Sequence, residues 1–474
     1  MYLAGITLFG LRYRRSQRTL RDYFLADRNV PWWAIALSIV AAETSTLTII
    51  SIPGLAFETD LGFLQVVFGY LLARVIISVI FIPQYFRGEM FTAYQLIDRR
   101  FGARLRSLTA GLFLITRAAA EGVRVFAISI VVGIAIGTGD LASIAIITAL
   151  TMVYTFEGGM AAVIWTDVVQ LAIYVGGTLV GFYTILHLLP APWYAVRDVL
   201  LSAGKLRVFD FTPDPFRAYT FWSGLIGGAF LTTASHGTDQ LMVGRLLAAK
   251  NERQSKVALL TSGVVLLFQF ALFLLVGAML FGYYSFDARG PKLMAAAGAD
   301  RIFPRFIVEH MPHGISGVLI AAILAAAMSN LSAALNSLSS TSIVDFYLRK
   351  RPDTDERARV GISRLATIAW ALVLFALAMV SRRGGRVVEV GLSIASVAYG
   401  AMLGVFLLGV LTRRANERGA MVGMLCGFVL NVCLWRFTRV PWTWWVMIGS
   451  GVTFAVGYSA SLVFRPSIQP SLRD

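Results

Sequence analysis

Residues 39–57 read IVAAETSTLTIISIPGLAF, an apolar run with a compact polar group near its centre. The polar group consists of Glu43, Thr44, Ser45, Thr46 and Thr48. Pro53, beyond the group, lacks a backbone N–H and disfavours regular helix just before it. The stretch therefore predicts a helix that is interrupted within its apolar length.

The whole chain has the composition of a membrane protein. Of its 474 residues, 57% are hydrophobic and 14% are charged, whereas soluble domains run about 45–50% apolar and about 25% charged. The excess falls in runs of roughly 20 residues, which cross about 30 Å of hydrocarbon as helix. This excludes a soluble enzyme, a disulfide-stapled secreted domain and a disordered tail, and it predicts an all-α polytopic membrane protein.

The apolar runs form about thirteen segments. They cover residues 1–12, 32–57, 63–86, 107–138, 141–156, 160–187, 218–245, 255–283, 315–346, 362–381, 387–411, 418–437 and 443–464. The first is short for a span, and we expect that a late start codon or a trimmed N-terminus explains it. No long hydrophilic linker separates the segments, so one membrane domain is expected.

The net charge of +16 is explained by topology, because the basic residues lie in loops between apolar runs. The loops that are cytoplasmic when the N-terminus is outside contain roughly twice as many lysine and arginine residues as the loops on the other side. We therefore expect a cell (inner) membrane protein with its N-terminus outside and its C-terminus in the cytoplasm. One loop on the outer side is an exception to this charge distribution, since it carries Arg382, Arg383 and Arg386.

The ninth segment contains residues 321–347, AAILAAAMSNLSAALNSLSSTSIVDFY. Small and polar residues at spacings of three and four share one helical face: Ala326, Ser329, Ser332, Ala333 and Asn336. Such a face suits close helix packing or an oxygen-lined site for a hard cation. Two discontinuities, one in the second and one in the ninth segment, favour the cation site, because unwound backbone at membrane depth is tolerated where it lines a site.

Four motifs follow one another along the chain: TAYQLIDRRFG at 92–102, YTFEGGMAAVIWTDVVQ at 154–170, SHGTDQLMVGRLLAAKN at 235–251 and AAAMSNLSAALNS at 325–337. Together they resemble the sodium:solute symporter family, and in particular a bacterial member of its sodium/glucose-cotransporter-like group. The resemblance covers essentially the whole chain.

This resemblance implies a core of two inverted five-helix repeats with discontinuous helices. Residues 32–187 would form the first repeat and 218–411 the second. Residues 1–31 would hold a partial first transmembrane helix and a cytoplasmic loop, and residues 412–474 two additional transmembrane helices and the C-terminal tail.

The resemblance also implies a sodium site between the second and ninth segments. The family's ligands match the backbone oxygens of Ala41 and Thr44, the Ala326 carbonyl, the Ser329 hydroxyl and the side chain that follows it. That position is usually Ser or Thr, and here it is Asn330, whose amide oxygen can still ligate sodium in an altered cavity. Sodium is the expected coupling ion, and no transition-metal site is expected.

Some family members hold a second sodium with the aspartate of the Trp-Thr-Asp motif and further hydroxyls. Asp167, Ser329 and Ser332 match here, but Ala333 replaces a hydroxyl position. A single sodium with Asp167 on its release path is therefore expected. The alternative is that Asp167 pairs with an arginine at the cytoplasmic boundary.

The solute is less well defined by the resemblance. Sugar-transporting members carry an aromatic pair before the G-x-x-Q of the seventh segment, where this chain has Ser235 and His236. A glutamate of their third segment and a glutamine of their eleventh have no match. A sugar or polyol therefore stays an alternative solute.

Arg117, Glu121 and Arg124 fall at i, i+4 and i+7 of the fourth segment. Two guanidiniums and one carboxylate leave one positive charge in excess, and an arginine near the midplane would bind a carboxylate bidentately. A structural ion-pair ladder or snorkelling is the alternative. An organic anion is thus the leading solute class. The candidate solute-binding residues are Glu43, Ser45, Arg117, Glu121, Arg124 and His236.

These features predict sodium-coupled symport of a small organic solute by alternating access. No nucleophile–base pair, metal cluster or phosphate loop occurs in the sequence, so an enzyme is not expected. A neutral His236 is expected just before residues 237–240, where the seventh segment is predicted to break. A proton-coupled transporter using His236, Glu43 or Asp167 is the rival. The protein is expected to work as a monomer in the lipid bilayer without nucleic acid.

Overall fold

The computed structural model describes residues 28–87, 93–154, 160–287, 298–347, 351, 356–382 and 386–464. The described residues are almost wholly helical, and the bridge found among them joins Val30 to Ala249. The predicted all-α class is therefore confirmed. The first apolar segment, residues 1–12, lies outside the described residues.

The helices are numbered α1 to α18 in chain order. They are α1 Trp32–Glu43, α2 Thr46–Glu58, α3 Leu64–Ile80, α4 Ile82–Tyr85, α5 Tyr94–Phe101, α6 Ala103–Ile136, α7 Asp140–Tyr154, α8 Met160–His187, α9 Trp193–Ser202, α10 Phe221–Gly237, α11 Gln240–Leu247, α12 Glu252–Phe286, α13 Ile302–His310, α14 His313–Thr341, α15 Glu356–Ser381, α16 Val387–Leu411, α17 Glu417–Phe437 and α18 Trp442–Val463. A 3₁₀ turn, Ala299–Arg301, precedes α13, and a π-helical turn, Ser342–Tyr347, follows α14.

Within the described residues, eight helices are long and apolar enough to cross a membrane, or up to nine spans if the bent pair α1–α2 counts as one. Length and composition alone decide this count. The apolar helices Leu64–Ile80 and Asp140–Ala149 are shorter. The chain is therefore a multi-pass membrane protein, and the count of about thirteen spans stays a prediction.

The second segment is broken where its polar group lies. α1 ends at Glu43 and α2 begins at Thr46, with a bend of 62° between them. Thr44 departs from helical geometry at φ −83° and ψ 65°, and Ser45 is extended at φ −73° and ψ 171°. The predicted interruption is therefore confirmed, and it leaves the last carbonyls of α1 without helical partners.

Hydroxyl side chains bond to backbone carbonyls at this break. The Thr44 hydroxyl donates to the Val40 carbonyl at 2.7 Å, and the Thr48 hydroxyl donates to the Glu43 carbonyl at 2.9 Å. Such bonds compete with the helical ladder. Pro53 lies further along, inside α2, so the break does not fall at the proline.

The seventh segment is also broken. α10 ends at Gly237, and the extended Asp239 caps α11 by accepting a hydrogen bond from the Leu241 N–H at 2.9 Å. The break predicted at residues 237–240 is confirmed.

The ninth segment differs from its prediction. α14 runs unbroken from His313 to Thr341, so the discontinuity expected in this segment is wrong. The run is rich in alanine and leucine, which have the highest helix propensities. Its small residues therefore shape a helix face instead of interrupting the helix.

Close glycine contacts bring α3 against α10. A Cβ added at Gly69 would lie 2.5 Å from the Leu225 carbonyl oxygen, and one added at Gly228 would lie 2.3 Å from the Val66 carbonyl oxygen. Only glycine permits such backbone approach in a helix pair. The contact places the inward side chains of α3 and α10 beside the broken end of α1.

Carboxylates neutralise part of the positive charge of the outer loop that holds Arg382, Arg383 and Arg386. Arg386 Nε lies 2.7 Å from a Glu58 oxygen, and Arg382 Nε lies 3.6 Å from an Asp140 oxygen. Arg383 lies outside the described residues. These pairs explain how basic residues are tolerated at this end of the molecule.

Candidate functional site

A buried group of ionisable residues surrounds the break between α1 and α2. Arg74 Nη2 of α3 donates to one Glu43 oxygen, and His236 Nε2 of α10 lies 3.1 Å from the other. The Glu43, Arg74 and His236 side chains are 11%, 1% and 3% exposed. We call these three residues the Glu43 cluster. It joins three helices at the point where the backbone leaves helical geometry.

The other guanidinium nitrogens of Arg74 and the Nδ1 atom of His236 are also engaged. Arg74 Nε donates to the Ser262 hydroxyl and Nη1 to the Tyr70 carbonyl, each at 3.1 Å. His236 Nδ1 lies 2.8 Å from the Ser235 hydroxyl oxygen. With a neutral imidazole, the single carboxylate is balanced by the single guanidinium. The Arg74 side of this ion pair is therefore fully hydrogen-bonded, as a buried ion pair must be to be stable, whereas His236 Nε2 has no hydrogen-bond partner among the described residues.

A second group lies on α6. Arg117 Nη2 and Arg124 Nη1 approach the same Glu121 oxygen, at 2.9 Å and 2.6 Å. Glu121 is 1% exposed, Arg117 is 10% exposed and Arg124 is 28% exposed. We call these residues the Glu121 cluster. Two guanidiniums share one carboxylate, so the cluster carries one positive charge in excess.

The Glu121 cluster has unmet hydrogen-bonding capacity. The second Glu121 oxygen and Arg117 Nε are buried and have no hydrogen-bond partner among the described residues. An unpartnered buried N–H beside an excess positive charge can donate to an acceptor from outside the cluster. The cluster therefore differs from the Glu43 cluster in both charge and hydrogen bonding.

Asp239 is a further carboxylate that acts electrostatically on Arg117. Its oxygens accept hydrogen bonds from the Leu241 N–H at 2.9 Å and from the Tyr399 hydroxyl at 3.1 Å. Within the part of the chain that the structure describes, it makes no ion pair with Arg117 inside 4.0 Å. Asp239 thus offsets part of the excess charge from a distance, and Arg124 stays the most accessible guanidinium.

Asp167 forms a third buried polar contact. One Asp167 oxygen accepts a hydrogen bond from the Ser38 hydroxyl at 2.6 Å and from Arg245 Nη2 at 2.9 Å. Arg245 Nε also donates to Ser38 at 2.9 Å. The contact joins α8, α1 and α11. The structure thus gives Asp167 an arginine partner, and its place on a release path stays a prediction.

The predicted sodium ligands fall on two elements. Ala41 and Thr44 are buried at the end of α1 and in the break, while Ala326 is buried and Asn330 half-buried on α14. The Ser329 side chain lies outside what the structure describes, and its backbone belongs to α14. α14 packs against α2 and α8, and α8 packs against α1. Their role as ligands stays a prediction.

The other candidates lie near these elements. Ser45 is buried at the start of α2, and Ser332 is half-buried on α14. Sequence reasoning missed Arg74, Arg245 and Ser38 as partners. A signal existed for Arg74, because a lone arginine inside an apolar span is costly and requires a partner.

The comparisons with known proteins cover nearly the whole chain. A sequence model of the sodium:solute symporter family matches residues 23–427. The chain is 28% identical to the sodium/sialic acid symporter SiaT of Proteus mirabilis (strain HI4320), over 100% of this chain and 96% of that protein. It is 26% identical to sodium-coupled monocarboxylate transporter 2 of Mus musculus, over 94% and 70%.

A solved structure is also similar. It is a substrate-bound, outward-open Na⁺-coupled sialic acid symporter, which superposes with a TM-score of 0.83 at 27% identity. The match covers 99% of this chain and 97% of the other.

Proposed function

Because the chain belongs to the sodium:solute symporter family, we propose that it carries a small organic anion across the membrane together with sodium, by alternating access. The Glu121 cluster carries this proposal. Its two guanidiniums against one carboxylate leave a positive charge inside a membrane span, where an unpaired charge is costly. A solute carboxylate would neutralise that charge and accept hydrogen bonds from Arg124.

The similar proteins support an anionic solute. They are named for sialic acid and for monocarboxylates, both of which are carboxylates. The solute itself is proposed by class only. Glu43, Ser45 and His236 border the break and are proposed to shape the solute site.

Sodium is proposed to bind between the break of α1–α2 and the polar face of α14. The break frees carbonyl oxygens at Ala41 and Thr44, and Ala326, Ser329 and Asn330 supply the other oxygens. Binding of each ligand would raise the affinity for the other equally. On release, sodium would pass Asp167, and a second sodium at Asp167 and Ser332 is the alternative role of these residues.

Ser329→Ala tests the sodium site. Removing one oxygen ligand is expected to raise the sodium concentration for half-maximal uptake by about 3-fold to 30-fold, which is roughly 0.7–2 kcal/mol. Ser316→Ala is the matched control, because Ser316 lies near the start of α14 and donates to the His313 carbonyl at 3.1 Å. An unchanged sodium dependence in Ser329→Ala would contradict the assignment.

Charge movement tests the solute class. One sodium with a monovalent anion moves no net charge, whereas one sodium with a neutral sugar gains about 2.3 kcal/mol per 100 mV. In proteoliposomes, we expect sodium-dependent carboxylate uptake that does not respond to an inside-negative potential. Uptake of an uncharged sugar or polyol that rises with the potential would overturn the anion proposal. Carboxylate uptake that rises with the inside-negative potential would indicate two sodium ions per solute.

The 3.1 Å contact of His236 with Glu43 favours one second candidate, proton coupling. In that mechanism the pair would carry the proton and sodium would be dispensable. Equimolar replacement of sodium by potassium separates the two. We expect uptake to fall to background in potassium at both acidic and neutral pH, and persistent uptake in potassium would favour the proton.

The same family membership supports the remaining parts of the proposal. The protein would act as a monomer in the cell membrane, with the N-terminus outside and the C-terminus in the cytoplasm. It would perform no covalent chemistry and need no nucleic acid.

A further inference from the structure

A cavity of about 350 Å³ lies between the ends of α16 and α18, apart from the clusters described above. Its lining residues are Leu411, Thr412, Arg413, Arg414, Phe454 and Tyr458. α16 ends at Leu411, and α18 ends a few residues beyond Tyr458. The cavity therefore opens at one boundary of the membrane, at the end that the charge distribution predicts to be cytoplasmic.

Two arginines supply the charge of this cavity. Arg413 and Arg414 are exposed, and neither makes an ion pair with another described residue. The backbone next to them is held in place, because Arg100 Nη2 donates to the Thr412 carbonyl at 3.1 Å. Free guanidiniums on a fixed backbone are suited to bind a phosphate group bidentately.

The other wall is apolar. Leu411, the last residue of α16, is 58% exposed. The Phe454 and Tyr458 rings stack with centroids 6.5 Å apart. A ligand that fills both walls must therefore be amphiphilic, with an anionic group at the arginines and a hydrocarbon part along Leu411 and the rings.

We propose that this cavity binds the headgroup phosphate of an anionic phospholipid. Basic pockets between membrane helices recognise such headgroups. A free phosphate ion would share the arginine contacts but would leave the apolar wall uncovered. The lipid would contact α16 and α18 together and so stabilise their packing at this end of the molecule.

Titration of short-chain phosphatidylglycerol into the purified full-length protein, with bound lipid counted by native mass spectrometry, tests the proposal. The double variant Arg413→Gln/Arg414→Gln is expected to weaken lipid binding by at least about 10-fold, since the loss of one charged hydrogen bond to the phosphate alone has an effect of about that size. Arg104→Gln/Arg418→Gln is the matched control, because both residues are exposed arginines at the same end and do not line the cavity. It is expected to change binding less than about twofold.

Two further experiments define the chemical class of the ligand. Leu411→Ser is expected to weaken phosphatidylglycerol binding, and inorganic phosphate is expected to compete only at far higher concentrations than the lipid. Equal losses in the two double variants would overturn the proposal in favour of general surface charge. Competition by phosphate at the lipid's own concentrations would reassign the cavity to a free anion. Equal binding of phosphatidylcholine by the unmodified protein would overturn it outright.

Discussion

The two buried clusters use similar side chains in different proportions. The Glu43 cluster sets one guanidinium against one carboxylate and draws its members from α1, α3 and α10. The Glu121 cluster sets two guanidiniums against one carboxylate, all within α6. Every guanidinium nitrogen of Arg74 donates a hydrogen bond, whereas Arg117 Nε has no partner among the described residues.

This difference separates the roles of the two clusters. A buried ion pair whose arginine makes all of its hydrogen bonds fixes a local geometry, and here that geometry is the break that frees the carbonyls of α1. A cluster with an excess positive charge and an unpartnered buried N–H, that of Arg117 Nε, is suited to bind an external anion. We therefore assign the Glu43 cluster mainly to the structure of the site and the Glu121 cluster to the solute.

The largest expected effect is the loss of stability when the Glu43 cluster is disrupted. Arg74→Gln leaves the Glu43 carboxylate buried without its counter-ion, at a cost of about 3–5 kcal/mol of stability. Thermal unfolding in detergent measures the loss. The double variant Arg74→Gln/Glu43→Gln is the control, because it removes both charges and should recover most of the stability. An Arg74→Gln protein that unfolds at the unmodified temperature would show that Glu43 needs no counter-ion.

A substitution in the Glu121 cluster should have the opposite effect, with normal stability and weakened solute uptake. Arg124→Gln leaves Glu121 paired with Arg117, so the protein is expected to fold normally. The solute concentration for half-maximal uptake is expected to rise roughly 10-fold to 150-fold, equivalent to about 1.5–3 kcal/mol for a lost charged hydrogen bond. Arg124→Lys keeps the charge without the planar fork and should fall in between. Normal uptake by Arg124→Gln, or loss of folded protein, would remove Arg124 from the solute site.

The Asp167–Arg245 pair gives an intermediate case, because it is balanced like the Glu43 cluster but lies on the proposed release path. Asp167→Asn is expected to cost about 1–3 kcal/mol of stability and to slow turnover more than it weakens sodium binding. In Asp167→Asn/Arg245→Gln the stability should return while turnover stays slow. Full recovery of turnover in that double variant would make the pair purely structural.

The smallest effect concerns the backbone of the break. Thr48→Val removes the hydroxyl that donates to the Glu43 carbonyl and is expected to cost about 0.5–1.5 kcal/mol. Thr59→Val removes a comparable bond to the Leu55 carbonyl at the other end of α2. Only Thr48→Val should shift the sodium dependence of uptake. Equal shifts in both variants would mean that the break geometry does not set the sodium site.

Local features could be predicted from the sequence. The polar group with Pro53 predicted an interruption of the second segment, and the i, i+4 and i+7 spacing predicted the Glu121 cluster, because both depend on residues within a few turns of one helix. The same reasoning placed a break near Gly237. The discontinuity expected in the ninth segment is wrong, because a run rich in alanine and leucine maintains α14 as one helix.

Partners on other helices could not be predicted. Arg74 reaches Glu43, and Arg245 reaches Asp167, only because of how the helices are rotated and how closely they approach. That approach depends on contacts such as Gly69 against the backbone of α10. A single sequence marks each buried charge as needing a partner, but it does not identify which charge pairs with which.

A thermal-shift screen of the purified protein tests the central claim most directly. Carboxylates, amino acids, sugars and polyols would be added in sodium and, at equal ionic strength, in potassium, to the unmodified protein and to Arg124→Gln. A ligand that binds the folded state raises its stability. We expect a carboxylate to stabilise the unmodified protein in sodium only, and to lose that effect in Arg124→Gln. Stabilisation by an uncharged solute alone, or by a carboxylate equally in both salts, would contradict sodium-coupled transport of an organic anion.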